Sequence, residues 1–119
     1  MALLSTQTIV EAGLANSLAS AAAGGDTFVN PEDQTTFFMV TNGGGTSINV
    51  TFTNQVATVS VPGAGNVALS DRVVAVGAGA TRMIGPFPPR FNNASGQVAV
   101  GYSAVASVTV GAFRLARVA

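Results

Sequence analysis

Apolar and polar residues alternate along much of this chain with a period of two, the spacing that sets one side of a strand against a core and the other in water. The clearest case is Ser47–Thr53, where Ile48, Val50 and Phe52 share one face and Asn49, Thr51 and Thr53 share the other. Thr35–Thr41 is a second β-rich run, and the intervening Asn42-Gly43-Gly44-Gly45-Thr46 predicts a hairpin with a five-residue loop. Gln97–Ser103 alternates as well, with Val98, Val100 and Tyr102 on one side. Further short strands are expected around 27–29, 56–61, 72–76, 81–84, 106–110 and 113–118. The turns between them are marked by Gly24-Gly25-Asp26, Asn30-Pro31-Glu32-Asp33, Pro62-Gly63-Ala64-Gly65-Asn66 and Gly77-Ala78-Gly79.

Two stretches depart from this pattern. Between Thr6 and Ala23 helix and strand compete, because Leu14 and Leu18 stand four apart in an Ala-rich context. Thr6, Thr8, Ile9 and Val10 favour an extended start, Gly13 interrupts, and the following Ser and Ala offer little bulk for a packed helix face. The segment 1–23 therefore reads as a strand followed by an extended N-terminal arm. From Gly85 to Asn93 three prolines remove ladder donors, so this stretch is expected as an extended crossing loop. About eight short strands at regular spacing predict an all-β fold: an antiparallel β-sandwich, jelly-roll or immunoglobulin-like, occupying 24–119 as a single domain.

Composition narrows the function. Only 8% of residues are charged, with five acids balanced by five bases, against about 25% in an ordinary soluble domain. Low charge density and neutrality favour association. All five bases are Arg, a residue suited to fixed interface pairing. Without a basic run there is no electrostatic footprint for nucleic acid. No apolar run reaches the roughly 18 residues that span a bilayer, and Met1–Leu4 lacks the features of a signal peptide.

The chemistry of catalysis is thinly represented. His, Cys and Lys are absent, which removes the usual general base, Ser-His and Cys-His triads, thiolate or imidazole metal ligands, and Schiff-base lysines. Asp26, Glu32 and Asp33 lie in predicted turns, where carboxylates cap backbone donors; calcium binding and glycosidase-like acid–base work are the alternatives. Gly63-Ala64-Gly65 and Gly77-Ala78-Gly79 read as hairpin turns, since the residues after them are β-rich and a dinucleotide fingerprint needs a helix there. No catalytic residue, cofactor or metal site is assigned. The Pro86-Phe87-Pro88-Pro89-Arg90-Phe91 stretch admits two readings: its aromatics plug an open end of the sandwich, or Phe87, Arg90 and Phe91 anchor a partner. Leu3 and Leu4 in the arm are the second candidate contact.

The phrases Gly24-Gly25-Asp26-Thr27-Phe28, Phe37-Phe38-Met39-Val40-Thr41-Asn42-Gly43-Gly44, Gly79-Ala80-Thr81-Arg82-Met83-Ile84-Gly85-Pro86-Phe87, Gly96-Gln97-Val98-Ala99-Val100-Gly101-Tyr102-Ser103 and Ser107-Val108-Thr109-Val110, in this order, resemble small virion proteins of tailed bacteriophages. In particular, they resemble capsid cement, or decoration, proteins. That resemblance implies a β-sandwich without catalysis, docked on the outside of a head against the major capsid protein as a homotrimer or other homo-oligomer. It also implies a virion location after synthesis in the host cytoplasm. Another virion part (head-completion, tail or fibre-associated) and a carbohydrate-binding module are the competing expectations. A sole Tyr and no Trp speak against the latter.

Overall fold

The computed structural model describes residues 2–10, 12–14, 18–30 and 35–115. They form an all-β sandwich whose inner faces are filled by Phe and Val. In the first sheet β1 (Ala2–Leu4), β4 (Asp26–Val29), β11 (Gln97–Tyr102), β6 (Ile48–Phe52) and β9 (Arg72–Val76) lie side by side in that order. In the second, the order is β10 (Thr81–Ile84), β5 (Thr36–Asn42), β12 (Val108–Leu115) and β2 (Thr6–Ile9), with the short β3 (Ala19–Ser20) also on β12. The remaining strands, β7 (Thr58–Val61) and β8 (Gly65–Ala68), pair with each other and, among the described residues, with no other strand.

The alternation in the sequence translates directly into burial. Ile48, Val50 and Phe52 of β6 point inward, as do Thr36, Phe38, Val40 and Asn42 of β5. Rings from both sheets meet across the interior: Phe38 lies edge-on to Phe52 at 5.4 Å and stacks on Phe28 at 5.4 Å. Phe87 bridges Phe28 at 5.4 Å and Phe52 at 4.8 Å, and Phe91 follows it at 6.1 Å. Offset and edge-on geometries at these separations are the favoured arrangements of aromatic quadrupoles.

The expected hairpin between the Thr35–Thr41 and Ser47–Thr53 runs does not form, because β5 and β6 belong to opposite sheets. Phe38 and Phe52 must face each other across the core, which strands adjacent in one sheet cannot achieve. Buried Asn42 replaces the hairpin turn: its Nδ2 donates to the Thr46 carbonyl at 2.8 Å and the Val76 carbonyl at 3.1 Å, while Oδ1 accepts from the Gly44 N–H at 3.0 Å. The Gly77-Ala78-Gly79 break is likewise a corner between sheets rather than a hairpin turn. The same Asn42 fastens it, since its N–H donates to the Ala80 carbonyl at 2.9 Å and its carbonyl accepts from the Gly79 N–H at 2.7 Å. One residue thus ties two crossovers through its backbone and its satisfied side chain, and a buried amide with its partners in place specifies a corner that turn propensity alone does not.

Consecutive strands repeatedly cross from one sheet to the other, and β7–β8 is the only consecutive pair joined as a hairpin among the described residues. The two expected C-terminal strands are one, β12. Gly111 does not break it; a Cβ there would meet Leu18 Cδ2 at 2.9 Å, so the glycine makes room for a side chain from the N-terminal segment. In that segment, expected as an extended arm, the described strands β1, β2 and β3 lie along the sandwich. β1 runs parallel to β4 on one sheet edge, and β2 runs parallel to β12 on an edge of the other.

Candidate interaction surface

One stretch leaves the body of the molecule. β6 and β9 pair from Ile48↔Val76 to Phe52↔Arg72, and the same two chain segments pair again as β7 and β8 from Thr58↔Ala68 to Val61↔Gly65. Residues 48–76 are therefore a single long ribbon, rooted in the first sheet and continuing into solvent. Pro62 and Gly63, the latter with φ of 83°, supply the fixed and left-handed positions of the tip turn, closed by Ala64 N–H to the Val61 carbonyl at 3.0 Å. Every residue of β7 and β8 is exposed, with Val59 at 42%, Val61 at 38% and Val67 at 43%. The projection shows in the dimensions: the radius of gyration is 15.2 Å, against about 13.5 Å for a compact chain of this length.

Beyond its root the ribbon carries no charge: residues 54–70 contain none, and Asp71 and Arg72 lie at its base. Its base is clamped. Asn54 N–H donates to Asp71 Oδ1 at 2.9 Å, the Asn54 amide also donates to the Val56 carbonyl, and Leu69 N–H donates to the Ala57 carbonyl at 2.8 Å. From the proline loop, Arg90 gives Nη1 to the Ser70 carbonyl at 3.4 Å and accepts the Gln55 N–H on its carbonyl at 2.9 Å.

The five residues expected to meet a partner fall into two groups. Phe87, Arg90 and Phe91 come together at the ribbon base. Both rings are completely buried, so neither has surface to offer a partner, and the plug reading fits their placement. Pre-set by Pro88 and Pro89, a short 3₁₀ turn over Pro89–Phe91 aims Phe91 inward, and Arg90 covers it at 4.2 Å. Arg72 lies 5.1 Å from Phe91 and 5.6 Å from Phe87. These cation–π contacts seal the end of the core while keeping both guanidinium groups near water. Leu3 and Leu4 sit on β1, at the opposite edge of the sheet from β9; Leu4 is buried and Leu3 is 60% exposed. A shallow groove opens beside them against Ala19, Val110 and Gly111.

Asp26, expected to cap a turn, instead opens β4 and is buried. Its Oδ2 accepts the Tyr102 hydroxyl at 2.7 Å and the Ala22 N–H at 3.2 Å. Burial, and then the Asp26 hydrogen bond, push the Tyr102 hydroxyl well above the usual tyrosine pKa, so the phenol stays neutral and donating. Asp71, the other described carboxylate, immediately precedes β9, three strands from β4, a lateral separation of about 14 Å at strand spacing. That exceeds the roughly 5–9.5 Å that glycosidase carboxylates need. Glu32 and Asp33 lie outside the described residues. Among the described residues no group of three or more carboxylates is placed to hold a metal ion, and no helix is long and apolar enough to cross a membrane.

Reading the sequence by periodicity overlooked the ribbon as a surface, because Val56–Val61 has the same alternating form as a core strand. The usable signal was the charge-free interval from 34 to 70 around a Pro-Gly turn. Comparison with known proteins adds no relative: no family model matches the chain, and neither a curated protein nor a solved structure matches it.

Proposed function

We propose that this chain is a bacteriophage virion structural protein, a capsid cement protein that binds the outside of the head and bridges neighbouring major capsid subunits. It acts as a homo-oligomer, holds no cofactor and turns over no substrate. The observation that carries this reading is the uncharged, valine-bearing ribbon held out from a rigid sandwich by a clamped base. A soluble monomer gains nothing from such a feature, whereas a protein whose task is adhesion gains a desolvation-ready contact. The order of the strand-and-turn phrases, resembling decoration proteins, supports the same reading. So does the low charge, since few groups lose hydration when surfaces meet.

Bridging requires repetition. A copy touching two subunits converts its second contact into a local event of high effective concentration, so weak surfaces suffice on a lattice. The test is to mix purified protein with undecorated heads and sediment them. Saturable co-sedimentation in many copies per head is expected, with labelled protein distributed over the shell. Absence of binding sinks the cement reading, and label confined to one vertex or to tails assigns the chain to another virion part.

A further inference from the structure

We infer that the β7–β8 ribbon is a self-association surface, its valine face packing against the same face of a second copy of this chain. The inference rests on the reading of the ribbon as adhesive and names its partner. The register pairs Val59 with Val67 and Val61 with Gly65, and Ser60 with Asn66 and Thr58 with Ala68. Strand alternation therefore sorts the ribbon into one face bearing Val59, Val61 and Val67 and another bearing Thr58, Ser60, Asn66 and Ala68. Among the described residues no third strand supports the pair, and an isolated two-stranded hairpin is marginal in water unless something packs on it.

Charge and shape select the occupant. An ordinary protein surface, about a quarter of whose residues are charged, brings ionised groups that lose hydration against valines offering no counter-charge. An identical ribbon brings none. Two ribbons of the same hand of twist stack face to face at about 10 Å, the separation at which β-branched side chains interdigitate. A two-fold axis makes each valine set both the inserted and the receiving surface. Size sets the strength: residues 58–68 fall well short of the roughly 20–30 residues a side of a standard stable interface. The contact is consequently weak and reversible in solution, and becomes strong where a common support holds two copies side by side.

The experiment uses the purified full chain without shells. Sedimentation equilibrium is expected to show reversible dimerisation, with Kd between about 10 μM and 1 mM. Val59→Lys together with Val67→Lys should weaken it at least tenfold while leaving the melting temperature in place. Because the chain has no Cys, Val59→Cys and Ser60→Cys each place a single thiol on one face of the ribbon. A short bis-maleimide should cross-link the Val59→Cys protein several-fold faster. A single monomeric species up to about 1 mM, association indifferent to both lysines, or equal cross-linking from the two faces overturns the inference. Shell binding is read separately: its loss with dimerisation intact counts against the cement function and not against ribbon pairing.

Discussion

β6 and β7 are two halves of one ribbon, read alike in sequence and treated oppositely by the fold. Ile48-Asn49-Val50-Thr51-Phe52 and Thr58-Val59-Ser60-Val61 both alternate apolar with small polar residues. In β6 the apolar set is buried, whereas in β7 every residue is exposed. The difference lies in what stands opposite. β6 has β11 and β9 on its two edges and Phe38 across the core, while β7 has only β8. Periodicity therefore reports that a face is available for burial; whether it is buried within the chain or left for another is a matter of neighbours.

The contrast predicts a ranked set of responses. Phe87→Ala should be the most damaging change, because its ring joins Phe28, Phe52 and Phe91 at the end of the core. A loss of about 3–5 kcal/mol is expected in urea unfolding, with a Tm drop of more than about 10 °C; a loss below about 1 kcal/mol would mean that the loop is not part of the core.

Next comes Tyr102→Phe, which strips Asp26 Oδ2 of its shortest hydrogen bond in a site where Oδ1 already has no partner. A cost of about 1–3 kcal/mol is expected. It carries a pH signature with a definite sign. The folded-state pKa of Tyr102 is raised, so the stabilisation is complete below the unfolded value near 10 and fades as pH climbs beyond it. With no Lys and no Cys, Tyr102 is the only side chain that titrates between about pH 9 and 12. Wild-type stability should therefore fall with pH above about 10 while Tyr102→Phe stays flat. Parallel slopes would show that the phenol ionises equally in both states.

Arg90→Ala bears on the joint between the two regions. It removes the cover over Phe91 and the donor to the Ser70 carbonyl, at a cost of about 1 kcal/mol. Amide exchange between Val56 and Leu69 should accelerate more than exchange in β5 or β12; uniform acceleration would place Arg90 with the core instead of the ribbon. The smallest effect is expected from Val59→Lys, within about 0.5 kcal/mol of wild type in thermal melts. A large loss there would mean that the ribbon is covered within its own chain.

Much of the sandwich was legible from residue types. Ile48, Val50, Phe52, Val98 and Val100 are buried as their alternation implies. The proline loop is a crossing loop because three missing or constrained donors leave no other role. The errors share a cause. Asn42–Thr46 and Gly77–Gly79 have hairpin composition, yet the decisive partner of each lies far along the chain: Asn42 reaches Val76 and Ala80. The runs 106–110 and 113–118 read as two strands because Leu18, which fills the space beside Gly111 in the single strand β12, is remote in sequence. Asp26 reads as a turn residue because nothing local announces Tyr102. Of the candidate contacts, Phe87 and Phe91 are buried in the core at the base of the ribbon, while the exposed valines stand on the ribbon itself.

By itself the sequence determined the β character, the inward faces of the main strands and the poverty of catalytic groups, because side-chain chemistry and period-two spacing are local properties. The tertiary structure alone decided which strands become neighbours, where the chain changes sheets and which valines stay in water. Those outcomes depend on contacts between residues far apart in the chain, whose free energies no short window of sequence contains.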